Sequence, residues 1–173
     1  MNEKLLVLII NDMVIFPNNE VRIEYDNTYD KAMIDIVEKI DDGLMLIVNP
    51  INDDGVDLTS FPKYGTLGRL KLKMSVPNGK TRIVIEGIDR VEISGIEEVG
   101  NFFKASYSQV NIPNTDNKDY FNILIKSLER YISKVPYMGN AIMSQLNNVD
   151  NLNDLCDLIA SFLPINYEEK KKY

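Results

Sequence analysis

The feature that most constrains the fold is a pair of strand-like runs joined by a turn, lying between Gly65 and Ile93. In the first run apolar residues alternate with polar ones, as a half-buried antiparallel strand requires. The apolar set is Leu70, Leu72, Met74 and Val76, and the polar set is Arg69, Lys71, Lys73 and Ser75. Pro77-Asn78-Gly79 suits a tight turn, because Asn and Gly tolerate positive φ and proline fixes φ at the entry. We therefore predict a β-hairpin whose apolar set faces the core, with a more deeply buried returning strand from Thr81 to Glu86.

The residues around this hairpin predict more strands and a single helix. Short strands are expected at 5–10, 21–25, 44–48 and 102–107, and the second hairpin strand runs past a bulge at Gly87 to a turn at Ser94-Gly95. Leu5 to Ile10 is apolar throughout, which indicates a strand buried on both faces. Between Asn27 and Ile40 apolar residues recur at helical spacing, with Asn27 as the N-cap. This pattern is typical of a compact, partly closed, mostly antiparallel sheet.

The composition changes after Pro113, where the polar stretch 114–117 marks a domain boundary. Everything beyond it has the helical period. We expect a helix from about 118 to 135 that Pro136 ends, a short helix from Met138 to Val149, and a third helix that Asp150 or Asn151 caps and Pro164 breaks. The expected fold class is α+β, with a β-domain at 1–113 and a helical subdomain at 118–173.

The composition excludes several classes of function. The 173 residues include no histidine and one cysteine, which removes zinc sites, histidine-based acid–base or triad chemistry and internal disulfides. The net charge of −7 argues against nucleic acid as a partner, because basic residues drive binding to phosphates. The longest apolar run, Leu5 to Ile10, is too short to span a bilayer or to act as a signal sequence. These features predict a cytoplasmic protein without a membrane segment.

Three short motifs suggest sites but lack the context that each site needs. Gly79-Lys80-Thr81 resembles the end of a phosphate-binding loop, yet Met74 replaces the first glycine and a strand follows instead of a helix. Asn52 to Asp57 resembles a calcium loop without its flanking helices and closing glutamate, so we interpret it as a solvated acidic loop. Cys156 lies on an apolar helical stripe and is interpreted as a core residue. Serine–lysine chemistry stays open on residue types, although no spacing nominates a pair. We predict no catalytic, metal-binding or cofactor-binding residues in this chain.

A basic stripe on and around the hairpin leaves two interpretations open. It consists of Arg69, Lys71, Lys73, Lys80 and Arg82. Contact with single-stranded nucleic acid usually involves aromatic residues that stack on bases, and none lies between Tyr64 and Phe102. A solvated sheet face whose lysines discourage edge-to-edge pairing is the favoured interpretation.

Five segments follow one another in an order that resembles a known family. They are Val14-Ile15-Phe16-Pro17, Tyr64 to Arg69, the turn from Pro77 to Gly79, Val84 to Val91 (VIEGIDRV), and Leu163-Pro164-Ile165 followed by Glu168-Glu169-Lys170. In this order they resemble the N-terminal domain of the Lon family of ATP-dependent serine proteases, over nearly the whole chain. The resemblance implies a PUA-like β-domain with one helix, followed by a small helical subdomain that leads into a long linker helix.

The resemblance also implies a function without catalysis in this chain. The family's domain helps to recognise unfolded, damaged or tagged polypeptides and to support assembly of a hexamer. The ATPase and peptidase domains of the family are missing, so its ATP, Mg²⁺ and catalytic pair are not carried over. We favour a fragment of a longer protease, because the tail at 165–173 begins another helix. The alternative is a free-standing PUA-like module that binds nucleic acid or a protein partner.

Candidate contacts for polypeptide substrates are apolar residues near turns, because exposed apolar patches and sheet edges bind extended chains. They are Phe16 and Pro17, Phe61 and Tyr64 in the loop before the hairpin, and Val76 and Pro77 at its turn. For each of these residues, packing in the core or in the turn is at least as good an explanation. Their exposure in the folded chain distinguishes the two interpretations.

Overall fold

The computed structural model describes residues 4–26, 28–40, 42–51, 58–77, 79–113 and 117–172. The chain divides into two compact units, Met1–Val110 and Asn111–Tyr173. Among the described residues, the first unit contains six strands and one helix, and the second contains four helices. The α+β fold class expected from the sequence is confirmed.

The first unit is a sheet that closes on itself. Its elements are β1 (Leu5–Ile9), β2 (Glu20–Tyr25), α1 (Thr28–Ile40), β3 (Leu44–Val48), β4 (Tyr64–Ser75), β5 (Thr81–Val99) and β6 (Phe102–Gln109). The strand order is β2-β5-β4-β3-β1-β6, and β6 also pairs with β5. Five strands therefore form a ring, with β2 attached to the first half of β5 outside it. β1 and β3 are parallel, whereas the remaining pairs are antiparallel.

The ring closes because β5 is long and bent. Its first part pairs with β2 as far as Glu86, and from Val91 onward it pairs with β6. The turn predicted at Ser94-Gly95 is wrong, because the strand continues to Val99. Gly95 has φ +53° and lies in a bulge where the pairing register with β6 shifts. A bulge of this kind bends a strand and increases its twist without ending it.

Two apolar cores lie on opposite faces of β1 and β3. One face packs with α1 and contains the buried residues Leu6, Leu8, Met33, Ile34, Val37, Met45 and Ile47. The other face points into the ring and contains Leu5, Val7, Leu46, Val48, Val91 and Ile93. Strands buried on both faces need uninterrupted apolar sequence, so the prediction made for Leu5 to Ile10 is confirmed.

The second unit is a small bundle built on one apolar cluster. Its helices are α2 (Lys118–Ile132), α3 (Pro136–Leu146), α4 (Leu152–Phe162) and α5 (Tyr167–Lys170). The side chains of Asn117 and Asn151 cap α2 and α4 by accepting the N–H groups of Tyr120 and Asp154. The buried cluster consists of Leu128, Ile132, Ile142, Leu146, Leu155 and Leu158.

Two helix predictions need correction. Pro136 does not end the first helix, which stops at Ile132; it begins α3 instead, because a proline in the first turn loses no hydrogen bond. Cys156 is exposed and is not a core residue. The buried stripe of α4 is centred on Leu155 and Leu158, and Cys156 lies about 100° around the helix from Leu155.

Candidate functional site

The turn that follows Phe16 rests directly on Gly87 of β5. The N–H of Asn18 donates to the carbonyl of Gly87, and the N–H of Gly87 donates to the carbonyl of Asn19, both at 2.9 Å. Asn18 has φ +58°, which Asn tolerates better than most residues. A Cβ atom at Gly87 would lie 2.3 Å from the carbonyl oxygen of Phe16. The close approach of the two backbones therefore requires glycine at this position.

Side chains fix the segment that leads into this turn. Thr66 Oγ1 donates to the Ile15 carbonyl at 2.7 Å, and the Asn49 amide donates to the carbonyls of Ile10 and Met13 at 2.8 and 2.7 Å. The guanidinium of Arg90 lies 5.9 Å from the centre of the Phe16 ring. These contacts satisfy carbonyls that lie outside the regular sheet.

Phe16 and Pro17 belong to this buried joint between the turn and β5. Phe16 is 2% exposed, and Pro17 is buried as well. The two residues were candidate substrate contacts, and both are buried in this structure. Their packing against Gly87 joins this segment to VIEGIDRV in the folded chain.

Near its turn, the β4–β5 hairpin departs from the predicted alternation of apolar and polar faces. Leu70 pairs with Ile85, but Leu72 pairs with Val84, so Lys71 is an extra residue in β4. This bulge reverses the faces of the residues that follow it. The prediction that Leu72 and Met74 face the core is therefore wrong, and they are 47% and 39% exposed.

The same reversal turns Lys73 toward α1. Its ammonium pairs with Asp35 and, at 2.7 Å, with Glu38. The hydrogen bond from Lys73 holds the pKa of Asp35 below its usual value, and the bonds to Asp35 and Glu38 raise the pKa of Lys73. Lys31 of α1 also donates to the carbonyl of Gly79 in the turn. The hairpin is thus tied to α1 by polar contacts.

The bulge leaves an apolar surface on the outer side of the hairpin, which we call the hairpin patch. It comprises Leu72, Met74, Val76 and Pro77. Pro77 is exposed, and Val76 is partly buried. Val84 lies opposite Leu72 and is 8% exposed, so it supports the patch from β5. Two of the six sequence candidates, Val76 and Pro77, fall on this surface, whereas Leu72 and Met74 were missed.

The remaining two candidates, Phe61 and Tyr64, lie elsewhere. Phe61 packs edge-on against Phe103, with ring centres 5.5 Å apart, beside the core inside the ring. Tyr64 is 57% exposed, and the Lys63 ammonium lies 5.0 Å from its ring centre. Tyr64 precedes Leu72 by eight residues on β4, which is about 26 Å along a strand. It therefore belongs to a different surface.

Three of the five residues in the predicted basic stripe form ion pairs. Lys71 pairs with Glu86 at 3.2 Å, Arg82 pairs with Glu24, and Lys73 is held by α1. Neutralised side chains release few counterions on binding a phosphate backbone. This arrangement favours the interpretation as a solvated sheet face over contact with nucleic acid.

The second unit carries an exposed apolar stripe that the sequence analysis did not identify. On α2, Tyr120 is 62% exposed, Ile123 58% and Tyr131 38%. They lie beside the core stripe of the same helix. Their spacing of three and eight residues was a usable signal, because it places them on one side of a helix.

The predicted calcium-like loop at 52–57 lies outside the described residues. Among the helices that the structure describes, none is long and apolar enough to cross a membrane.

Comparison with known proteins identifies the family. The model for the "ATP-dependent protease La (LON) substrate-binding domain" matches residues 4–172. Lon protease of Escherichia coli strain K12 is 21% identical over 169 residues, which cover 95% of this chain and 22% of the relative. Lon protease of Buchnera aphidicola from Acyrthosiphon pisum is 25% identical over 170 residues, with the same coverage. The chain thus spans about a fifth of the length of these curated relatives.

Solved structures show the same fold. The N-terminal domain of a Lon protease from the Mycobacterium avium complex matches with a TM-score of 0.80 at 18% identity, covering 98% of this chain and 88% of that chain. A Lon N-terminal domain protein from Xanthomonas campestris matches with a TM-score of 0.70 at 14% identity and the same coverage. The family match over residues 4–172 establishes that the chain belongs to the family of Lon substrate-binding domains.

Proposed function

We propose that this chain is the non-catalytic part of a Lon-like ATP-dependent protease that binds unfolded or damaged polypeptides and supports hexamer assembly in the cytoplasm. ATP and Mg²⁺ would be bound by an ATPase domain outside this chain. The observation that carries the binding function is the hairpin patch. There, Leu72 and Met74 are 47% and 39% exposed.

The patch suits weak binding of apolar segments. Burying what remains exposed of Leu72 and Met74 would contribute about 1 kcal/mol each, roughly half the value for a fully buried side chain. Methionine adapts to irregular partners because its side chain is unbranched and flexible. The ion pairs around the patch leave main-chain and apolar contacts as the main source of attraction. Binding of this strength favours many unfolded sequences over one defined ligand.

The proposal is tested by NMR titration of the whole chain with reduced, carboxymethylated α-lactalbumin, which cannot refold. Amide shifts are expected to concentrate in the hairpin between Leu70 and Thr81. Native α-lactalbumin serves as the control ligand and should leave the spectrum unchanged. Absence of any shift at high ligand concentration would contradict the proposal.

A variant pair locates the binding surface. Changing both Leu72 and Met74 to serine should weaken binding about 30-fold, the equivalent of the ~2 kcal/mol that the two side chains contribute. Tyr64→Ser is the matched control, because Tyr64 is an exposed aromatic residue at the other end of the same strand. Equal weakening by Tyr64→Ser would place the binding surface elsewhere.

The assembly and non-enzyme parts of the proposal have separate tests. Sedimentation velocity over a range of concentrations should show reversible self-association of the chain, and a strict monomer would contradict a direct contribution to assembly. Incubation with ATP and casein should give no hydrolysis of either. Measurable turnover would refute the absence of catalysis in this chain.

A further inference from the structure

We infer that Lys73 is a positioning residue that sets the pairing register of β4, and that this register is what exposes the hairpin patch. The apolar pattern of β4 disagrees with the observed bulge. Residues 70–76 alternate as though Leu70, Leu72, Met74 and Val76 shared a face. In the structure, the extra residue Lys71 places the apolar residues that follow it on the opposite face of the strand from Leu70.

The same sequence has a second register without the bulge. If β4 continued from Leu70 in phase with Ile85, Leu72 would lie opposite Ile83 and Met74 opposite Thr81. Ile83 and Ile85 belong to the core that packs with α1, so Leu72 would then turn toward α1 as Leu70 does. A shift of one residue exchanges the two faces of a strand. The patch is therefore present in one register and absent from the other.

Lys73 distinguishes the two registers by charge. In the observed register it faces α1, is 24% exposed and pairs with Asp35 and Glu38. In the register without the bulge it would leave both carboxylates and lie opposite Arg82, a like charge on the neighbouring strand. Like charges directly opposite each other destabilise a pair of strands. The carboxylates of α1 therefore favour the register that exposes Leu72 and Met74.

The contact between Lys31 and the Gly79 carbonyl acts in the same direction. It fixes the turn relative to α1, and a change in register would lengthen that turn by one residue. The consequence for substrate binding rests on the function proposed above, whereas the register itself does not.

The methionine methyl groups provide a direct readout of the register. In the whole chain labelled with ¹³C at the methionine methyls, relaxation by a soluble gadolinium chelate reports the exposure of each methyl. Met74 is 39% exposed and Met143 38%, whereas Met45 is fully buried. Met143 and Met45 thus serve as internal references for exposure and burial. Nuclear Overhauser contacts of Leu72 with Val84 or with Ile83 identify the register independently.

Charge reversal at Lys73 should switch the register. In Lys73→Glu, the new carboxylate faces Asp35 and Glu38, so the relaxation of Met74 is expected to fall several-fold toward that of Met45 while Met143 is unchanged. Lys80→Glu makes the same change in net charge in the same hairpin and should leave Met74 exposed. Combining Lys73→Glu with Asp35→Lys and Glu38→Lys restores the pairs and should return Met74 to the exposed state.

Deletion of Lys71 gives a second control. It removes the bulge while leaving Leu72, Lys73 and Met74 on the faces of the strand that they occupy in the structure. In this background Lys73→Glu should no longer shield Met74. If Lys73→Glu alone does not fold, as judged by loss of the buried Met45 signal, Lys73→Gln gives the same comparison with a smaller change. A folded Lys73→Glu or Lys73→Gln variant in which Met74 stays as exposed as Met143 overturns the inference, and so does failure of the charge swap to restore exposure.

The binding assay separates this inference from the proposed function. If Lys73→Glu shields Met74 and also weakens binding of the unfolded protein, both stand. If it shields Met74 without changing binding, the register inference stands and the hairpin patch is not the substrate surface.

Discussion

Replacing Gly87 by alanine tests the buried joint between the Phe16 turn and β5. A Cβ at this position would lie 2.3 Å from the Phe16 carbonyl oxygen, 3.0 Å from the Phe16 carbonyl carbon and 3.2 Å from Ile15 Cγ2. Ordinary contact begins near 3.4 Å, so the turn must move by more than 1 Å. The nearest atom belongs to the backbone, and a change of rotamer does not relieve the clash.

The expected loss of stability in Gly87→Ala comes from the hydrogen bonds and the packing that this movement disrupts. The two 2.9 Å backbone bonds between Gly87 and the turn would exceed hydrogen-bonding distance, at about 1 kcal/mol each. Overpacking beside the buried side chains of Ile15 and Phe16 adds about 1–3 kcal/mol. Alanine recovers about 0.4–1 kcal/mol by restricting the unfolded chain. We expect Gly87→Ala to lower the free energy of unfolding of the first unit by about 3 kcal/mol.

Urea unfolding followed by residue-resolved NMR measures this change. Signals from β1 and β5 report the first unit, and signals from α2 and α4 report the second, so no single transition is assumed for the whole chain. Gly100→Ala is the matched control, because Gly100 has φ +64° and nothing within 4 Å of an added Cβ; its cost is a local backbone strain of about 1–2 kcal/mol. The reasoning is refuted if Gly87→Ala costs no more than Gly100→Ala.

Three further predictions concern other contacts. The hydrogen bond from Lys73 holds the pKa of Asp35 below its usual value. The stabilisation that this pair gives the hairpin is therefore complete above the pKa of Asp35 in the unfolded chain, and it is lost as the pH falls through the lower pKa of the folded chain. Because Asp35 is half-exposed, acidification should lower the local stability of the hairpin, measured by amide exchange, by less than about 1 kcal/mol. The Asp35→Asn variant should not show this loss. Leu155 is fully buried, so Leu155→Ala should destabilise α2–α4 by about 2–5 kcal/mol in urea; a change below 1 kcal/mol would contradict its place in the core. Lys170→Met removes a 2.8 Å bond to the Ser161 carbonyl and should speed amide exchange in α5, whereas Lys172→Met should not.

Local patterns predicted those parts of the fold that depend on local physics. Leu5 to Ile10 was assigned to a doubly buried strand because nothing in it is polar, and the two faces do fill two separate cores. Asn151 was one of two proposed caps for the third helix, and its side chain accepts the N–H three residues later. Capping and burial of this kind need only a few neighbouring residues.

Predictions failed where a distant partner decides the local conformation. The turn expected at Ser94-Gly95 is a bulge, because β6 continues to pair with β5 on both sides of it. Cys156 was placed in the core because it belongs to a stripe of apolar residues three and four apart. In the structure, α4 buries the side that carries Leu155 and Leu158 and leaves Cys156 exposed. Pairing partners and helix rotation are properties of the tertiary structure, and the periodicity of one segment does not determine them.

The residues that carry the resemblance to the family and the residues of the binding surface that we propose are different sets. The first set lies in the buried joint between the Phe16 turn and β5, and the second set is exposed by the bulge in β4. Phe16 and Pro17 were candidate contacts and Gly87 was a predicted bulge, yet the three residues form a buried joint in which the close approach of two backbones leaves no room for a side chain at Gly87. Leu72 and Met74 looked like core residues by their alternation, yet ion pairs to α1 outweigh that pattern and keep them on the surface. A local apolar pattern that is overridden at a cost in burial is expected where a surface has a function. The joint therefore fixes the turn after Phe16 against β5, and the binding surface that we propose lies on the part of the hairpin where apolar side chains are exposed.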